Sequence, residues 1–452
     1  MGSFRQVDRA TGFLLPPSVD EWLPQRHLAR FVVEVIERLD LRALVGAYRG
    51  SGSAPYHPSV LLGLLVYGYA TGVLSSRKLE RATYDSVAFR FIAANDHPDH
   101  DTIAAFRRRF LAEIEGLFVQ VLVLAREAGV LKLGTLALDG TKVHANASRH
   151  HALSYAHAEK IEAQLKAEVE ELMALAEAAD QADVPDGMSV PEELARREAR
   201  LARIAAAKAT IAARAQERLA REQAEHAAKL EAREEKAKKT GRKPGGRPPQ
   251  PPTGGPGPKD QVNLTDEDSR IMPVAGGGFA QAYNAQAAVA TGSLLVVANE
   301  VTQAANDKQQ IAPLLAELDR LPDELGRAET LLADSGYFSE ANVAACAEAK
   351  VTPLIALGRE RHHRSWKERF APAPPAPDDP TPLQAMAHRL ATPEGRRTYA
   401  LRKQTPEPVF GIIKAVMGFR QFSLRGLEHV KGEWNLVTLA WNVRRLFALG
   451  CA

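Results

Sequence analysis

Two cysteines, Cys346 and Cys451, are all that the 452 residues contain. That is too few for a disulfide framework or a cysteine-built zinc module, and it fits a reducing compartment. Long apolar runs are missing as well. The most apolar stretch, Val60 to Leu74, is interrupted by Gly63, Gly68, Thr71 and Gly72. It is short of the roughly 20 residues of a bilayer span, so it reads as a buried helix and no membrane role is expected. Met1 to Arg9 mixes charges without an apolar segment, unlike a signal peptide. No Gly-rich loop followed by lysine is there to cradle a nucleotide phosphate, so no nucleotide cofactor is implied. Nor does one sign of charge dominate. With 58 basic and 55 acidic residues the net is +3, which excludes an acidic tail protein and leaves nucleic-acid binding to depend on where the basic residues cluster.

What is present is length and an ordinary globular mix, 45% hydrophobic and 25% charged, enough for a sizeable core and about three domains. Residues 15–130 read as mostly helical. Leu28, Phe31, Val32, Val35, Ile36 and Leu39 recur at three- and four-residue spacing over His27 to Leu44, and Pro58 suits the first turn of the next helix. Ser75-Ser76 can cap a helix over Arg77 to Tyr84, and Asp101-Thr102 one that carries Arg107, Arg108 and Arg109. Several short helices with clustered arginines suit a helix-turn-helix-like module that touches phosphates; an all-α core with a solvated basic face suits them equally. Leu133 to His144 reads as a strand carrying Asp139. Residues 151–240 are dominated by Ala, Glu, Lys and Arg with two apolar stripes, separated by Asp183-Val-Pro-Asp-Gly187, and read as a pair of long antiparallel helices. Such a pair serves as a dimerisation or DNA-reaching arm, or as a solvent-facing insertion. Residues 241–260 are a Pro/Gly-rich linker, expected to be flexible. From Gln261 to Leu449 the pattern is globular again. It starts with a hairpin over Tyr283–Ala290 and Leu294–Val301, followed by alternating helix and strand. Lys367 to Pro393 is expected to be loop, and Pro406 to Leu449 helical. The whole is a mixed α/β sheet interrupted once by helical and linker sequence.

Three carboxylates stand at the ends of elements. Asp139 and Asp334 each follow apolar strand residues and shortly precede a glycine. A pair of this kind suits hard cations such as Mg²⁺, and two metals about 4 Å apart can activate an attacking oxygen and stabilise a leaving one. A single strand-end aspartate, by contrast, is ordinarily a turn cap. Glu407 lies just inside a helix that Thr405 can cap and Pro406 can open, with Gly411 and Lys414 on its face. Taken alone, it reads as favourable charge at a helix N-terminus.

Four stretches together resemble the DDE transposases of bacterial insertion sequences, in the branch with an RNase H-like core. They are Leu136-Ala-Leu-Asp-Gly-Thr-Lys-Val-His-Ala-Asn-Ala-Ser148, Asn263-Leu-Thr-Asp-Glu-Asp-Ser-Arg-Ile-Met272 with Ala282-Tyr-Asn-Ala-Gln286, Ala333-Asp-Ser-Gly-Tyr-Phe338 and Glu407-Pro-Val-Phe-Gly-Ile-Ile-Lys414. Each motif is modest; their order and spacing are specific, and the insertion-sequence eleven-eighty-two group is the most similar. The resemblance implies an RNase H-like mixed sheet with flanking helices (131–150 and 261–449), preceded by a helical DNA-binding domain (15–130) and interrupted by the helical insertion. It implies that Asp139, Asp334 and Glu407 are the catalytic acids and hold two Mg²⁺, with Mn²⁺ substituting. Strand cleavage at the element ends and transfer into target DNA would follow. Lys414 matches the family's Glu-x6-Lys spacing and implies a DNA contact. Tyr399 and Arg402 keep the Tyr-x2-Arg spacing, but Arg402 stands one residue too far from Glu407, while Lys403 has the right offset; which one acts stays open. A homodimer on double-stranded DNA, in a bacterial cytoplasm at the nucleoid, is the expected setting. A catalytically dead relative that only binds DNA ends is the alternative.

Other polar clusters carry weaker expectations. His144 can orient Asp139 or nearby DNA. His150, His151 and His362-His363 read as solvated rather than as a zinc site. Asp266 and Asp268 read as turn acids and Asn284 as a cross-strand amide. Lys431, Arg444 and Arg445 either meet DNA or cover a solvated face, and Trp434 and Trp441 belong to the core.

Overall fold

The computed structural model describes residues 18–48, 55–178, 189–241, 245–274, 276–358, 375 and 378–451. Two compact units result: Met1–Ala145 with Met272–Ala452, and Asn146–Ile271. The turn at 183–187 and His362-His363 lie outside the described residues.

The first unit opens with α1 (Val19–Trp22) and α2 (Leu28–Glu37), which buries Ala29, Phe31, Val32, Val35 and Ile36. The helix expected to run to Leu44 stops at Glu37 and resumes as α3 (Arg42–Gly46), because Asp40 takes both the backbone N–H and the guanidinium of Arg42. α4 (Pro58–Thr71) starts on Pro58 and ends at Gly72, whose φ of +87° suits a residue without Cβ. It is buried around most of its circumference, as its largely apolar character demands. No single helix among the described residues is long and apolar enough to cross a membrane. α5 (Ser76–Asp85), α6 (Val87–Ile92), α7 (His100–Arg109) and α8 (Leu111–Glu127) follow. The cap of α7 is Asp99, whose carboxylate accepts from the Thr102 N–H at 2.8 Å, so Asp101-Thr102 lies one step inside the helix.

The sheet then begins with β1 (Gly134–His144). After the second unit come β4 (Arg270–Pro273), β5 (Phe279–Ala290) and β6 (Val296–Thr302), then α11 (Ile311–Asp319), β7 (Ala328–Ala333), α12 (Glu340–Glu348) and β8 (Thr352–Ile355). The strand order is β4-β5-β1-β7-β8, with β6 also on β5. β1 runs antiparallel to β5, from Leu136 opposite Ala290 to His144 opposite Ala282, and parallel to β7. β7 and β8 are parallel. This is an RNase H-like mixed sheet with helices around it. The expected loop over 367–393 is in part helix: α13 (Pro382–Ala391) starts on a Thr381–Gln384 capping box, and α14 (Pro393–Ala400) follows directly. Those prolines sit at first-turn positions, where a missing N–H costs nothing. α15 (Pro406–Ala415) and α16 (Leu427–Ala448) close the chain, divided by a loop through Gly418 and Gly426.

α16 is the central helix of this unit. Trp434 and Trp441, core residues as expected, donate their indole N–H to the carbonyls of Gln286 and Leu294. α4 and α8 pack on the same helix, so the N-terminal helices and the sheet share one compact body. At the α8 contact, a Cβ on Gly432 would stand 2.6 Å from the Leu111 Cβ. Gly432→Val is therefore expected to lower stability by about 1–3 kcal/mol through overpacking, read as a fall in the urea midpoint; an unchanged midpoint would show that the two helices separate freely.

In the second unit, β2 (Ala152–Ser154) pairs with β3 (Gln261–Asn263), and α9 (Tyr155–Ala178) lies against α10 (Val190–Thr240). The ion pairs Glu162–Lys208 and Glu168–Arg197 show that the two helices are antiparallel. Leu153, Ala158, Leu165, Ile204, Ala207, Ile211 and Val262 form its core. The Pro/Gly-rich segment, expected to be a flexible linker, runs back along α10. Its carbonyls accept from the helix: Gly246 from Arg233 at 2.8 Å and Pro249 from His226 at 3.2 Å. Prolines remove donors but leave every carbonyl, and long basic side chains reach those carbonyls.

Candidate active site

β1 is a central strand, and Asp139 lies opposite Ala287 of β5. Asp334 is the first residue beyond β7 and caps a short 3₁₀ turn (Ser335–Tyr337), accepting from the Gly336 N–H at 2.8 Å. Because β1 and β7 are parallel neighbours, with Ala137 opposite Leu332, both aspartates sit at the same end of the sheet. Glu407 is in the first turn of α15, half exposed. Thr405 precedes the helix but turns its hydroxyl to the Leu401 carbonyl instead of capping.

Arg402 joins these elements. Its Nη1 is 3.5 Å from Asp139 Oδ2 and its Nη2 is 3.8 Å from Glu407 Oε1. Arg402 Nη1 is buried and makes no hydrogen bond. Burial pushes the Asp139 carboxyl up to about 6; the Gly140 N–H and Arg402 pull it down, and Asp334 and Asp307 push it up further.

Asp307 was not foreseen. It lies between β6 and α11, and its Oδ1 accepts from the Asn284 and Gln286 side-chain amides, both at 2.7 Å. Lys142 Nζ is 3.7 Å away. Tyr337, fully buried, donates to Gln286 Oε1 in turn. The available signal resembled that of Asp334: an acid a few residues beyond an apolar strand, in Thr302-Gln-Ala-Ala-Asn-Asp307.

The basic candidates separate clearly. Lys414 is half-buried and donates to Thr141 Oγ1 and to the Lys142 carbonyl, which ties α15 to β1. Burial lowers its pKa. Tyr399 donates to the Ala333 carbonyl beside Asp334. Arg402 is the basic residue at the acids, while Lys403 is exposed. Arg107 is a correction: it is only 7% exposed and donates to the Tyr69 hydroxyl at 3.0 Å, so it is a core group and does not face DNA. Arg109 lies over the Tyr48 and Phe110 rings and donates to the Ala47 carbonyl; Arg108 and Arg109 are both exposed. Arg444 and Arg445 hold the Ala70 and Ser293 carbonyls, and Lys431 pairs with Glu300 at 3.0 Å. His144 is exposed, with its backbone bridged to Gln421. In the second unit, His151 shares a hydrogen bond with Thr265, and Asp266 is buried in the turn after β3. Asn284 is the cross-strand amide expected, opposite Lys142, and is also the anchor of Asp307.

Among the described residues, no group of three or more His, Cys, Asp or Glu side chains is gathered closely enough to hold a metal ion. Arg402 stands between Asp139 and Glu407.

Two family models match this chain. Residues 17–109 match a family described as "Transposase domain", and residues 263–443 match one described as "Transposase DDE domain". No curated protein and no solved structure matches. The second match takes in Asp307, Asp334, Glu407 and Lys414; Asp139 lies between the two matched stretches. Together the matches cover more than half of the residues, in the order helices then sheet, and the chain belongs to the DDE-type transposases of insertion sequences.

Proposed function

We propose that this transposase is active: it cleaves DNA strands at the ends of its element and joins the freed 3′-hydroxyls to target DNA, with Asp139, Asp334 and Glu407 as its catalytic acids. The observation that carries the reading is the meeting of three distant segments around Arg402, which reaches both Asp139 and Glu407 while Asp334 raises the Asp139 pKa from beside it. The donor chemistry fits divalent metal. All the donors are carboxylate oxygens, and the buried Asp139 anion is poorly compensated, so a hard cation is the natural counter-charge. Asp139, Asp334 and Glu407 would hold two Mg²⁺, or Mn²⁺ in their place; when bound, the ions supply activation of the attacking oxygen and stabilisation of the leaving one.

The protein's own groups have separate tasks. Arg402, displaced from its carboxylates, offers a planar guanidinium to a DNA phosphate. Lys403 is exposed next to it for the backbone. Lys414 holds α15 against β1 and so sets where Glu407 stands. Arg108 and Arg109 on the helices of 15–130 contact the element end, and a homodimer in the bacterial cytoplasm, at the nucleoid, brings two ends together.

A second reading, a DNA-end-binding protein without catalysis, has one observation on its side: an arginine, not a tight group of carboxylates, lies between Asp139 and Glu407. Strand cleavage of a supercoiled plasmid carrying the native ends separates the two. With Mg²⁺, the wild type is expected to nick at the ends and Asp139→Ala to lose the activity by about 10⁴-fold. End binding without nicks, in Mg²⁺ and Mn²⁺ alike, overturns the first reading in favour of the second.

A further inference from the structure

The glycines that follow the two aspartates, Gly140 and Gly336, open onto the same side chain. A Cβ on Gly140 would stand 2.9 Å from Asp307 Oδ1, 3.0 Å from Asn284 Oδ1 and 2.2 Å from Gln286 Nε2. A Cβ on Gly336 would stand 3.8 Å from Asp307 Oδ2 and 2.9 Å from Asp334 Oδ1. The Asp307 carboxylate therefore fills the gap between the turn after Asp139 and the turn after Asp334. Both of its amide anchors use Oδ1, and Oδ2 takes neither. Asn284 and Gln286 are fully buried, as is the tyrosine that fixes Gln286. Asn284 Oδ1 is buried with no hydrogen-bond partner, at the same spot beside Gly140. An unpaired buried amide oxygen costs about 1–3 kcal/mol, and this one lies beside the Asp307 carboxylate at Gly140.

We propose that Asp307 is a fourth acid of the active centre: Asn284 and Gln286 hold one carboxylate oxygen while the other joins Asp139 and Asp334 as an oxygen ligand for divalent cation. The inference rests on the functional reading above. It also gives Gly140 a reason: any side chain there strikes the Asp307 carboxylate or the amide that holds it. The positive neighbour of Asp307, Lys142, stands 3.7 Å from Oδ1, the same oxygen that the two amides hold.

The test is Mn²⁺ binding to the full-length protein without DNA, followed by electron paramagnetic resonance, in the wild type, D139N and D307N. Asparagine at 307 keeps an oxygen for the Asn284 and Gln286 amides and loses the second carboxylate oxygen. D307N is expected to weaken Mn²⁺ binding by about 10–100-fold, with little change in Tm. Wild-type affinity in D307N alongside weakened D139N overturns the fourth-acid proposal and leaves the site reading standing. Wild-type affinity in both variants overturns the site reading itself. A purely structural Asp307 would lower Tm without changing affinity in the folded fraction. If D307N does not fold, Fe²⁺ in place of Mn²⁺ with peroxide and ascorbate serves on the wild type. Backbone cuts are expected near 139, 307 and 334, and cuts near 139 and 334 alone overturn the proposal.

Discussion

Asparagine at position 139 is expected to make the metal-free protein more stable while removing its cleavage activity. The folded-state pKa of Asp139 is about 6, above the ordinary 3.8. Above about pH 7 the native state therefore carries an ionised buried carboxylate that the unfolded chain hydrates better. Each pKa unit corresponds to about 1.4 kcal/mol, so the cost reaches about 3 kcal/mol at most. As the pH falls through 6 toward 4, the folded state takes up the proton first and the wild type regains that stability. Below the unfolded value both states are protonated and the term is gone. The advantage of Asp139→Asn is thus full at pH 8, shrinks between pH 6 and 4 and vanishes below. Its side chain is 20% exposed, so solvent screening takes little from the effect. Asparagine keeps an oxygen for the Gly140 N–H, which accepts no new strain. Urea denaturation in chelator at pH 8 and pH 4 measures it. Equal stability of the two proteins at pH 8 would mean that the native site already compensates the charge.

The second large effect lies in the core. Glu433 is completely buried in α16 and accepts from the Tyr69 hydroxyl at 2.9 Å and from the Ser423 and Leu424 N–H groups at 2.9 and 3.0 Å. Arg107 donates to the same tyrosine oxygen. Glu433→Ala leaves a buried guanidinium without its counter-charge and three donors without an acceptor. The expected loss is about 3–5 kcal/mol, a large share of the roughly 5–15 kcal/mol of a whole domain. Glu433→Gln, which keeps an acceptor and the shape, is expected to lose less. A loss below about 1 kcal/mol for the alanine variant would show that the network relaxes around the gap. The chain of contacts is continuous with the site: α16 also carries Trp434, whose indole holds the Gln286 carbonyl, and the Gln286 amide holds Asp307.

Much of this was readable from the residues. Apolar spacing located α2 and α4. Asp334 stands at the end of its strand as expected, whereas Asp139, expected at a strand end, lies in the middle of β1 because the ladder with β5 runs on to His144; the order of strands and helices gave the mixed sheet. What escaped the sequence depended on partners far away in the chain. Arg107 reads like its neighbours Arg108 and Arg109, and only the fold places Tyr69 and Glu433 against it. Asp307 reads as a loop acid until β5 presents Asn284 and Gln286 to it. The ambiguity between Arg402 and Lys403 is likewise one of direction: a 3₁₀ turn (Leu401–Gln404) points the first toward the acids and the second toward solvent. The prolines of 241–260 suggested a free tether because composition says what a segment lacks, not which side chains reach its carbonyls.

The register of β1 on β5 bears on how the proposed active centre comes into being. The two strands are antiparallel neighbours, yet residues 145–278 separate them. Closing a loop of that length costs roughly 4 kcal/mol of chain entropy, because the cost grows only with its logarithm. The larger effect is on timing. On the ribosome Asp139 emerges early, while its strand partner, its second aspartate and its glutamate are still untranslated. A chain interrupted anywhere before β5 has helices but no sheet to hold an active centre. The proposed active centre is thus assembled last, when nearly all of the chain has left the tunnel, and products truncated before β5 lack Asp307, Asp334 and Glu407 altogether.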